Sequence, residues 1–99
     1  MNRVALTGRL TQDPDLRYTQ GGTAVGNLRV AVDRPSNEDE ADFFDVVAFG
    51  KVAENVASYM EKGRRIGIDG RLRQDRWTTS EGDNRSKVRV VANAIEFLD

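Results

Sequence analysis

The chain has 99 residues, 38% hydrophobic and 31% charged, which suits one soluble globular domain with a modest core and excludes a disordered chain. It contains no histidine and no cysteine, so the usual general base, a thiol nucleophile, disulfides and thiolate metal sites are all excluded. The net charge of −1 argues against a uniformly basic surface, yet a neutral chain can still present a basic face.

Residues 3–10 alternate, with Val4, Leu6 and Leu10 on one side and Arg3, Thr7 and Arg9 on the other, which predicts a strand. The N-terminus enters it without a signal-peptide core, and no run of about 18 apolar residues exists, so neither export nor a membrane span is expected. Gly8 interrupts the inward set and predicts a bulge or a barrel corner. Asp13-Pro14 is a turn signal, Leu16 to Thr19 resumes extended structure, and Gln20-Gly21-Gly22-Thr23 reads as a hairpin turn. A second alternating run, 24–33, turns Leu28, Val30 and Val32 inward and Asn27 and Arg29 outward.

The segment Arg34 to Glu40, with Pro35 and a cluster of acids, reads as a solvated, mobile loop. Glu38, Asp39, Glu40 and Asp42 lack the ligand alternation and turn glycine of a hard-cation loop, so no metal is expected. The third strand, Ala41 to Phe49, places Phe44, Val46 and Ala48 on one face and Phe43, Asp45, Val47 and Phe49 on the other. That pattern fits either a strand buried on both faces or one carrying an exposed aromatic platform.

Lys51 to Lys62 predicts a helix with Val52, Val56, Tyr59 and Met60 as its apolar stripe, ended by Gly63. Residues 64–73 alternate again, Ile66, Ile68 and Leu72 inward and Arg65, Asp69, Arg71 and Arg73 outward, and a continued register puts Trp77 outward too. After a turn at Ser80 to Asn84, residues 86–98 form the last strand with Lys87 and Arg89 outward. Its apolar parity shifts between Val90 and Ile95, which requires a bulge. The expected fold is mainly all-β: a five-stranded Greek-key OB-fold barrel, with one helix between strands 3 and 4, filling residues 1–99 as a single domain.

Charge is unevenly distributed. Residues 63–89 hold eight basic residues against four acids, and twelve of the fifteen basic residues are arginine, the type suited to phosphates and to stacking. No nucleophile elbow, phosphate loop or dinucleotide fingerprint is present, so neither catalysis nor a cofactor is expected. The outward sets instead interleave basic and aromatic residues: Arg3 and Arg9; Asn27 and Arg29; Phe43 and Phe49; Arg71, Arg73 and Trp77; Lys87 and Arg89. Single strands are bound this way, with cations on phosphates and bases stacked on rings. The helix carries Glu54 and Glu61 on its exposed side, which disfavours groove reading of a duplex.

Over nearly its full length the chain resembles the DNA-binding domain of bacterial single-stranded DNA-binding proteins. The residues that carry the resemblance are Asn2-Arg3-Val4 through Gly8-Arg9-Leu10, Gln12 to Tyr18, Phe49 to Glu54, Gly63, Gly70 to Arg73, and Trp77-Thr78. The resemblance implies an OB-fold homo-oligomer, a tetramer or sometimes a dimer of two-domain chains. It implies sequence-tolerant binding of single strands during replication, recombination and repair in the bacterial cytoplasm and nucleoid. By the same resemblance Phe43, Phe49 and Trp77 are base-stacking rings, and Lys51, Arg71 and Arg73 lie beside the DNA path. Arg3 serves either DNA or a subunit contact.

Three features depart from the family pattern. Where some members have a tryptophan after strand 2, Pro35-Ser36 stands here, with Arg34 the nearby candidate for DNA contact. Asp45 lies between the stacking rings, and Phe44 occupies a subunit-contact position that is polar or histidine in better-known relatives. The acidic C-terminal tail that recruits replication and repair proteins is expected to be absent from this chain. The other reading is a primosomal or assembly accessory protein on the same fold, with weaker nucleic-acid binding.

Overall fold

A computed structural model describes residues 1–99, apart from the Glu38 side chain. The elements run β1 Val4–Leu10, β2 Asp15–Tyr18, β3 Ala24–Arg34, β4 Asn37–Phe49, α1 Gly50–Tyr59, β5 Arg65–Thr78 and β6 Asn84–Phe97. Their order in the sheet is β1-β5-β6-β4-β3-β2, and a further β1–β3 pairing closes five of them into a barrel with β2 as an outlying hairpin arm on β3. All contacts are antiparallel except β4–β6, which pair in parallel through Val46↔Val90 and Val47↔Val91. This is the OB-fold, with its one helix between the third and fourth barrel strands.

Closure depends on two strands changing partner or register without side chains in the way. β1 lies against β5 from Val4↔Gly70 to Arg9↔Arg65 and reaches β3 through Arg9↔Ala31 and Leu10↔Val30. At that corner a Cβ on Gly8 would overlap Val30 and the Ala31 carbonyl, so the position requires glycine. Gly70 has the same constraint against the Val91 carbonyl, and there β6 carries its bulge: Asp69 faces Ala94 and Gly70 faces Ala92, leaving Asn93 as the extra residue. The predicted parity shift in the last strand is this bulge. It lets Val90 and Ala92 before it, and Ile95 after it, all point inward.

The barrel interior is apolar. Leu10, Leu28, Val30, Val46, Ala48, Ile66, Ile68 and Val90 pack with Ala53, Val56 and Met60 of α1, and no polar side chain is buried among the described residues. Removing such a surface from water is what holds the sheet shut, at about 25 cal/mol per Å² of apolar area.

Four expectations are corrected. The acidic segment 34–40 is not a loop: Pro35-Ser36 is a tight turn, β4 starts at Asn37, and Arg34 holds Asp42 at 2.9 Å and Glu40 at 3.2 Å. The Glu38 side chain lies outside the described residues. The helix stops at Tyr59 rather than Lys62, with extended Met60 as its C-cap. Tyr59 is not core: at roughly 100° per residue it lies about a quarter turn from the Ala53–Val56–Met60 face, is 68% exposed, and tilts against Phe97 at 6.3 Å.

Finally, Leu72 and Phe44 share the inward parity but are 47% and 37% exposed. Pairing of β1 to β5 ends at Gly70, so beyond it the β5–β6 hairpin leaves the barrel and its inward face has no opposing layer. Phe44, Leu72 and Val88 line the groove that results.

Candidate nucleic-acid interface

Strand pairing assembles the outward residues into one surface. Val25, Asn27, Arg29 and Ala31 of β3 stand beside Phe49, Val47, Asp45 and Phe43 of β4. Val47 stands beside Val91 of β6, and Val91, Arg89, Lys87 and Arg85 oppose Arg71, Arg73, Asp75 and Trp77 of β5. Partners directly opposite in a sheet project to the same side, so Phe43, Phe49 and Trp77 share a face. They are 54%, 40% and 49% exposed. Rings left this open are not core.

Between the rings lies a hard floor. Val47 and Val91 are 3% and 5% exposed yet are not part of the barrel core cluster. They are buried on the outward side, under the taller side chains around them. β4 is therefore apolar on both faces for a specific reason. Inward Val46 and Ala48 fill the barrel, while outward Val47 supports the platform between Phe49 and the Asp45–Phe43 pair.

The cations fall into two groups. Arg29 Nη1 donates to Asp45 Oδ1 at 3.1 Å, and the Lys87 ammonium bonds Asp45 Oδ2. Lys87 first, then Arg29, hold the Asp45 carboxyl below its ordinary range, against an opposing effect of burial. The Arg29 guanidinium also sits 5.4 Å from the Phe43 ring centroid, a cation–π distance. Asp75 takes Arg73 Nε at 2.9 Å and stands 3.2 Å from Arg89 Nε. The latter is close enough for attraction, but that buried nitrogen makes no hydrogen bond. Among the described residues Lys51, Arg71 and Arg9 have no carboxylate within ion-pair distance. Arg71 stands beside the Val91 floor, Lys51 opens α1 directly after Phe49, and Arg9 stands opposite Ala31, whose other neighbour is Phe43.

Two sequence candidates lie apart from this group. Arg34 is held by two acids at the β3–β4 turn. Arg3 pairs with Asp69 at 3.2 Å on the β1–β5 side, where the Asn2 side chain also donates from Nδ2 to the Leu72 carbonyl and accepts from the Leu72 N–H at Oδ1. Sequence reasoning overlooked Asp75 and Arg85. Both were accessible to the parity argument: Asp75 lies midway between Arg73 and Trp77, and Arg85 is opposite Trp77 and in phase with Lys87 and Arg89.

Residues 1–98 match the model of the single-strand binding protein family. The chain is similar to proteins named single-stranded DNA-binding protein. It is 47% identical to that of Oceanobacillus iheyensis, with the match covering the whole chain and 64% of the relative. The figures are 46% identity and 61% of the relative for Halalkalibacterium halodurans, and 48% and 71% for Clostridium tetani, again with the whole chain covered. The chain thus spans less than two thirds of the first two of these relatives. With a family match over residues 1–98, and relatives this similar, the chain belongs to the single-strand binding protein family.

Proposed function

We propose that this domain binds single-stranded DNA without strong sequence preference, with bases stacked on Phe43, Phe49 and Trp77. Lys51, Arg71 and Arg9 take phosphates first, because no acid among the described residues pairs with them; Arg29, Arg73, Lys87 and Arg89 do so at the expense of existing ion pairs. Arg3 and Arg34 serve the ends of the path. The observation that carries this reading is the one face on which three half-exposed rings stand among cations above an apolar floor. Retention of all three rings disfavours an accessory role with little nucleic-acid binding.

The domain works as a homo-oligomer, a tetramer by resemblance. The groove of Phe44, Leu72 and Val88 supports a subunit contact, since those apolar side chains remain 37%, 47% and 56% exposed. In the bacterial cytoplasm it would cover strands exposed in replication, recombination and repair, alongside the proteins of those processes. No helix among the described residues is long and apolar enough to cross a membrane.

Titration with a single-stranded oligothymidylate, followed by fluorescence of Trp77, the only tryptophan, tests the reading. Quenching with an affinity that falls as salt rises is expected. Absence of both quenching and binding at low salt overturns it.

A further inference from the structure

Asp45 and Asp75 each commit both carboxylate oxygens to cations on the proposed DNA face: Oδ1 of Asp45 to Arg29 and Oδ2 to Lys87, Oδ1 of Asp75 to Arg73 and Oδ2 towards Arg89. The two acids stand among the four bases across β3, β4, β6 and β5: Arg29 is opposite Asp45 and Lys87 opposite Asp75, while Arg73 and Arg89 face each other. A phosphate that approaches Arg29 or Lys87 therefore meets a fixed carboxylate within ion-pair distance of the same cation. These groups are neither fully open nor buried; the side chains of Asp45, Arg29 and Lys87 are 26%, 45% and 44% exposed.

A carboxylate in this position has one of two effects on a ligand. It can hold its cations in the geometry that the ligand needs, or it can occupy them. Two observations favour the second. Arg29 is already placed without Asp45, by its ladder position on β3 and by the Phe43 ring beneath its guanidinium. In addition, partly exposed ion pairs hold side chains only weakly, whereas a negative charge within a few ångströms of a phosphate repels it at any orientation.

Resting on the reading of this face as a single-strand site, we propose that Asp45, with Asp75 as its counterpart, is an internal competitor of the phosphate backbone. It is a built-in counter-anion that lowers affinity for single strands and flattens its dependence on salt. The strand exchanges one anion for another at Arg29 and Lys87, so fewer solution ions are released than the count of basic residues suggests. Grip is left mainly to the rings and to Arg71, Lys51 and Arg9, which no carboxylate among the described residues pairs. Such a face releases and reslides a strand more readily than one with every cation free.

Oligothymidylate titrations of the wild type and Asp45→Asn at several salt concentrations, read by Trp77 fluorescence, test this. Loss of one competing charge should tighten binding about tenfold at low salt and steepen the salt slope by about 0.7, the value for one additional phosphate neutralised on a single strand. Arg29→Gln should cost more affinity in the Asp45→Asn background than in the wild type. Equal or weaker binding by folded Asp45→Asn, with an unchanged salt slope, overturns the proposal while leaving the site itself standing. Failure of both proteins to bind overturns the site and the proposal together. If Asp45→Asn does not fold, Asp75→Asn puts the same question to the second carboxylate, with the same tighter-and-steeper result expected and the same null result fatal.

Discussion

The two faces of β4 have similar composition and opposite duties. Inward, Val46 and Ala48 are 1% and 0% exposed and belong to a core shared with every other barrel strand and α1. Outward, Phe43 and Phe49 keep about half their area open, while Val47 between them is buried without joining that core. The difference teaches that hydrophobicity alone does not assign a face; what stands across from it does. The inward face meets a closed barrel. The outward face meets only its neighbours in the sheet and whatever ligand arrives.

Substitutions should separate the two faces cleanly. Leu28→Ala, directly opposite Val46 and 2% exposed, should lose about 2–5 kcal/mol of stability in denaturant titrations, with binding by the folded fraction unchanged. Loss of binding without loss of stability would show that the core and the platform are not separate. Phe43→Ala and Trp77→Ala should do the reverse, each losing about 1–3 kcal/mol of single-strand binding with the melting transition nearly unmoved. Unfolding of either variant would place that ring in the core.

Among the cations, Arg71→Gln should reduce the salt slope by about 0.7. Arg34→Gln should change it less, since Asp42 and Glu40 already hold Arg34; equal changes would abolish the distinction between open and occupied cations.

The smallest expected effect is on acid stability. Lys87 and then Arg29 lower the Asp45 carboxyl from 3.8. The stabilisation that this pairing supplies is thus complete above the unfolded value and disappears as pH falls through the lower native one. Melts of the wild type and Asp45→Asn should differ by a constant amount near neutrality and converge in strong acid. A gap that persists in acid would mean that the ion pairs are not its source.

Much of the molecule was legible because strands write their pattern with period two. The platform follows directly from it: Phe43, Phe49, Arg71, Arg73 and Trp77 all project where alternation places them. The bulge in the last strand was visible as a break in that alternation, and Gly8 marked the corner. Where the reading failed, the failure was about what covers a face, not which face it is. Leu72 and Phe44 have inward parity but no layer opposite them, and Tyr59 sits at the margin of a stripe that only docking of α1 delimits. Acids clustered beside a proline suggested a loop, yet pairing with β3 and the Arg34 ion pairs carry β4 through them.

Asp45 shows the division most clearly. Its position between two outward rings was plain in the sequence and made no sense there, because its partners Arg29 and Lys87 are 16 and 42 residues away in the chain. Local alternation, glycine placement and the helix stripe are properties of neighbouring residues, so most of the strands, the barrel class and the side on which the rings project can be read along the chain. Barrel closure, the uncovered Phe44–Leu72–Val88 groove and the pairing of cations with Asp45 and Asp75 depend on residues distant in the chain meeting in space.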